Sequence, residues 1–190
     1  MNFAVQSYNT NININFRNAK KLSKKSVLKL TEDKDFFPEV SLYNTGIKDF
    51  RLKSLVVEKR ERMAMQSPLP PEYTYVDGCG ITRLKPHLYI KNIVVKPEYL
   101  RQGVWRDTVY KIVNLSKEEG FEGRVLLFSA PVRGTENYIP NPAIAHWANG
   151  FRFYDSNCVK QMHEVLTGTR PAENAPGGCM YYPVVKKQSV

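Results

Sequence analysis

The chain has 190 residues, a formal net charge of +10, a 42% apolar fraction and three cysteines. That length can bury a sizeable core in one domain without the help of metals or disulfides. Cys79, Cys158 and Cys179 are odd in number, widely spaced and free of any CxxC pair, which argues against a disulfide framework or structural zinc and for a reducing compartment.

The start, "MNFAVQSYNTNININF", lacks an apolar core long enough for a signal peptide, and no later stretch is apolar enough to span a membrane. The expectation is a soluble, cytoplasmic protein with no membrane partner. Positive charge gathers in "RNAKKLSKKSVLK" (17–29) and "KSLVVEKRER" (53–62). Such surfaces attract phosphates of nucleic acid or cofactor, or an acidic partner, but for charge runs alone a solubilising surface is the preferred reading.

Taken in chain order, "NININF" alternates and places Ile12, Ile14 and Phe16 on one face of a strand. A weak helix is read over the lysine-rich stretch. Thr31 ahead of "EDKDFF" has helix-start chemistry that Pro38 cuts short. Residues 52–65 read as a strand, and "SPLPPEY" breaks regular structure. "CGITRL" and "LYIKNIVV" read as two strands joined at "KPH" in a hairpin. Residues 104–119 form a helix by the spacing of Trp105, Val109, Ile112, Val113 and Ser116, with Gly120 as its stop. "RVLLFSA" is a strand buried on both faces, and "NPAIAHWAN" a short helix from Pro142 to Asn149-Gly150. "FRFYD" reads as a strand, "VKQMHEVL" as a short helix and "CMYYPVV" as a closing strand. The whole is a mixed α/β sheet with helices packed on it, a single domain.

The segment "LYIKNIVVKPEYLRQGVW", the helix after it and the later block "NPAIAHWANGFRFY" resemble the GNAT superfamily of acyl-coenzyme A N-acyltransferases, as a divergent member. The resemblance covers a core of residues 51–190, with residues 1–50 as a variable region packed on it. It implies a fourth strand and pyrophosphate loop, then a helix, a fifth strand and a short helix ending in Gly-Phe. Acetyl-CoA or another acyl-CoA would be the donor, and a small-molecule or protein amine the acceptor. Residues Arg101, Gln102, Gly103, Val104 and Trp105 would hold the pyrophosphate. The edge of Ile93, Val94 and Val95 would pair with the pantetheine amides, and Asn141 opens the later block. The loop's physics agrees, since amides at a helix start and the helix dipole favour an anion there.

The chain departs from the family at telling positions. Leu100 stands where the family has Gln or Arg, Trp105 where it has Gly or Ala, and Lys91-Asn92 where many members carry a carboxylate base. The spacing of Trp105 with Val109 also fits a core tryptophan. His146 occupies the place of the family's proton-donating tyrosine, with Tyr138 and Tyr154 as alternatives, and it also fits a partly buried helix histidine. Two functions therefore stand side by side. One is acyl transfer to a primary amine. The other is a catalytically degenerate subunit that binds nucleic acid or an acidic partner, in an oligomer or a larger assembly such as a phage particle.

Overall fold

The computed structural model describes residues 39–63, 65, 67–130 and 142–184. The expectations for Ile12, Ile14, Phe16, the lysine-rich stretch and Thr31 lie outside the described residues, as do Tyr138 and Asn141.

Six strands form one mixed sheet in the order β1-β2-β5-β6-β8-β7. They are β1 (Glu39–Tyr43), β2 (Leu52–Glu61), β5 (His87–Val95), β6 (Val125–Ser129), β7 (Arg152–Phe153) and β8 (Gly178–Tyr181). Only β5 and β6 run parallel; the other neighbours are antiparallel. The parallel pair is joined by helix α1 (Val104–Glu118), as a crossover requires. Two further helices follow, α2 (Pro142–Ala148) and α3 (Ser156–Leu166). Val104, Thr108, Val109, Ile112, Val113 and Ser116 of α1 are buried, the helical spacing the sequence showed.

The sheet has an apolar layer on each face. Val57, Leu88, Ile90, Val125, Leu127 and Met180 pack with α1, Ala143 of α2 and Met162 of α3. On the other face Leu126 meets Leu69, Tyr73 and Leu84. The Tyr73 hydroxyl donates to the carbonyl of Tyr182 (2.6 Å), accepts from the Val125 amide (3.0 Å) and lies 3.2 Å from the Val125 carbonyl, tying that layer to β6.

One expectation is corrected. The strand at β4 (Thr82–Leu84) does not form a hairpin with β5; it pairs with β3 (Thr74–Val76) in a separate two-stranded sheet. Only Lys85 and Pro86 separate β4 from β5, and a two-residue hairpin turn there would need positive φ at Lys85 in either favoured type, and in type I′ also at Pro86, where the proline ring forbids it. The real turn is Asp77–Ile81, where the Asp77 carboxylate accepts from the amides of Cys79 and Ile81, both at 2.9 Å.

No helix among the described residues is long and apolar enough to cross a membrane.

Candidate functional site

The parallel strands part halfway along their length. β5 and β6 pair from Leu88↔Val125 to Ile90↔Leu127. Beyond that, β6 continues on β8 (Phe128↔Cys179, Ser129↔Gly178), while β5 continues on β2 (Leu55↔Ile93, Ser54↔Val94, Leu52↔Val95). A gap therefore opens at the carboxyl ends of two parallel strands, the place where α/β sheets take ligands.

The gap coincides with a β-bulge. Val57 pairs with Ile90 and Val56 with Asn92, which leaves Lys91 as the extra residue. The insertion resets the alternation, so that Ile90 and Ile93, three apart, both pack in the α1 layer. A bulge takes backbone groups out of the ladder and re-aims side chains, commonly beside active sites. Sequence reasoning missed it, although the signal was there: the apolar positions Leu88, Ile90, Ile93 and Val95 step by 2, 3 and 2.

After β5, the Lys96 amide donates to the Arg51 carbonyl at 2.9 Å, and a short 3-10 turn spans Pro97–Tyr99. Arg101 (φ 63°) and Gly103 (φ 76°) then adopt left-handed backbone, the latter as N-cap of α1. Among the described residues no side chain caps this helix, so its first amides keep their donors and the dipole adds positive potential. The Gln102 side chain braces the loop by donating to the Glu98 carbonyl (2.9 Å). A Cβ on Gly103 would lie 3.1 Å from Nη2 of Arg106, which puts that guanidinium over the glycine. Arg51 reaches within 3.9 Å of Asp107 in the first turn of α1. It also grips Asp49 through two side-chain hydrogen bonds (2.9 and 2.7 Å), and these hold the Asp49 carboxyl at about 2.

Trp105 points away from the loop. Its half-buried ring stacks on Phe151 (centroids 6.3 Å apart) and meets His146 edge-on (5.3 Å). This bears out a core-packing tryptophan and joins α1 to α2. Burial alone pushes His146 down to about 4, so it is neutral at pH 7 and a poor proton donor there. Trp105 Nε1, His146 Nδ1 and the hydroxyl of Ser129 at the end of β6 are buried with no hydrogen-bond partner among the described residues. Buried polar atoms in that state are uncommon, and a bound water or ion, stored strain or a catalytic role are the usual reasons for them.

The opposite face carries the carboxylate that sequence reasoning missed. Glu58 of β2 is 4% exposed and accepts from Lys91 Nζ (2.8 Å) and from Arg60 Nε and Nη2 (2.9 and 2.6 Å). Burial pushes its carboxyl up, but the Lys91 and Arg60 hydrogen bonds outweigh it and leave the group below its usual range. Glu58 is thus an anion held by two cations, well suited to bind an ammonium and ill suited to take a proton.

Of the residues singled out in the sequence, Ile93, Val94, Val95, Arg101, Gln102, Gly103, Val104 and Trp105 share the carboxyl end of β5, and His146 joins them through Trp105. Val104 contributes backbone alone, since its side chain is 2% exposed in the core. Tyr154 stands apart: it follows β7 and meets Tyr181 edge-on (6.4 Å), with β8 between it and β6. Among the described residues no cluster of His, Cys, Asp or Glu could hold a metal. A shallow depression of about 400 Å³, lined in part by Thr45, Lys111 and Glu118, lies against the later turns of α1, away from the gap. Compared with known proteins, the chain matches no family model, no curated protein and no solved structure.

Proposed function

We propose that the protein is an acyl-CoA-dependent N-acyltransferase of GNAT-like fold. The observation that carries this reading is the parting of β5 and β6, with a bulge at Lys91, beside an uncapped helix start. The residues present fit such a donor. The amides at the start of α1, with Arg101 and Arg106, would take the pyrophosphate. The backbone of Ile93–Val95, released from β6, would take the pantetheine amides as an added strand would. Bound acyl-CoA supplies an activated thioester carbonyl.

The chain's own contribution is then mostly positional. Backbone donors freed at the bulge are suited to an oxyanion. Glu58 attracts a cationic amine to the far side of the gap, in exchange for the Lys91 ammonium, and the amine gives up its proton to water before it attacks the thioester carbonyl. Of the proposed acids, the two among the described residues are poorly suited: His146 is neutral, and Tyr154 is roughly 10 Å from β6 across two strand spacings. A thiol with an ordinary pKa of about 8.5 is a good enough leaving group to take its proton from water.

The test is thiol release from acetyl-CoA with a panel of primary amines, for the native chain and Gly103→Val. Release that depends on an amine, and is lost in the variant, supports the proposal; no release with any amine counts against it. A second reading, a catalytically silent binding subunit of the same fold, is favoured by the Lys91–Glu58 ion pair, which occupies the place where a free carboxylate base would serve. It predicts donor binding without turnover, or a phosphate-bearing macromolecule as partner.

A further inference from the structure

Phe50 is 71% exposed, yet it is not loose. Its ring meets that of Tyr99 edge-on, with centroids 5.5 Å apart and an interplanar angle of 87°. The next residue, Arg51, fixes its place: its carbonyl accepts from Lys96, and its guanidinium reaches both Asp49 and Asp107. The aromatic pair is thereby held on the rim of the loop that leads into α1. Leu100, 57% exposed, extends the apolar rim.

A ring this exposed gains little from burial. A T-shaped pair covers at most one face of one ring, so an aromatic surface remains open for a third ring to stack on. Two residues beyond Tyr99, Arg101 is exposed, and Arg106 lies over Gly103. Flat apolar surface next to guanidinium groups and unpaired amides matches a ligand that joins a flat base to phosphates.

We infer that Phe50 and Tyr99 form a base-stacking platform for the nucleotide end of the ligand, with its phosphates on Arg101, Arg106 and the start of α1. The inference rests on the acyl-CoA reading for the identity of the whole ligand, but the platform belongs to a nucleotide whether or not acyl transfer occurs.

The experiment is calorimetric titration of the native chain and of Phe50→Ala with three probes: coenzyme A, adenosine 3′,5′-bisphosphate and pantetheine 4′-phosphate. Phe50 is exposed enough that its truncation leaves the fold intact, which circular dichroism checks. The variant should bind coenzyme A and the bisphosphate about fivefold or more weakly, while pantetheine 4′-phosphate, which carries no base, is unaffected. Tyr99→Leu should show the same split. Unchanged affinity for the bisphosphate, or equal losses for all three probes, would overturn the platform, and so would absence of bisphosphate binding to the native chain at millimolar concentration. Binding of the bisphosphate with the expected loss, but with no acyl-CoA turnover, would keep the platform and remove the enzyme. If a single-stranded oligonucleotide loses affinity in Phe50→Ala and the bisphosphate does not, the surface belongs to nucleic acid and the inference fails.

Discussion

The two halves of β5 are built for different purposes. From Leu88 to Ile90 the strand is paired on both sides, and these two residues are 0% and 4% exposed. From Lys91 to Val95 it keeps β2 alone, carries a bulge and shows Lys91, Asn92 and Val94 to solvent. The difference teaches that the closed half holds the sheet together while the open half is free to carry a site, because its residues hold little of the folding energy.

Substitutions in the two halves give the widest contrast. Leu88→Ala should cost about 2–5 kcal/mol, because the side chains packed around it in the α1 layer cannot fully close the cavity. Val94→Ala, at 38% exposure, should stay within about 0.5 kcal/mol. Urea denaturation of both variants checks this, and equal costs would erase the distinction. Next in size is Tyr73→Phe, which leaves the Val125 amide and the Tyr182 carbonyl unpaired beneath the closed half. A loss of about 1–3 kcal/mol is expected by the same method, with donor binding unchanged.

Acid should separate the regions more gently. Burial holds both His87 and His146 at about 4, below the usual 6.5. The unfolded chain therefore binds more protons between those values. Stability is complete above about pH 6.5 and falls as the pH drops towards 4. His146→Phe should flatten that decline in urea midpoints without abolishing it, because His87 remains. An unchanged slope would show that the His146 ring is not buried as described. The effect at the lowest pH belongs to Glu58→Gln. Its depressed carboxyl contributes stability that is present above about pH 4.3 and lost below it, so the variant should lose only that lowest part of the acid dependence.

Much of the architecture was legible in local pattern. The helix spacing from Trp105 to Ser116, the apolar run of β6 and the Gly150 stop of α2 are all signals carried by neighbours in sequence. What escaped depends on partners far apart. The exposed edge strand β1, with Val40 and Leu42 at 47% and 77% exposure, has no buried stripe to announce it. The "KPH" junction looked like a hairpin because strand ends were read without asking what φ its proline allows. At the site, the loop and Trp105 were readable from helix-start chemistry and spacing. Glu58 was not, because its link to Lys91 spans two strands whose register only the sheet defines.

The central claim is that the open half of β5 and the start of α1 hold an acyl-CoA. Calorimetric titration of the native chain with acetyl-CoA, at low and moderate salt, tests it most directly. The account predicts micromolar binding, displaced by free coenzyme A and weakened by salt as phosphate contacts require. Absence of binding at millimolar acetyl-CoA, in protein shown to be folded, would contradict it.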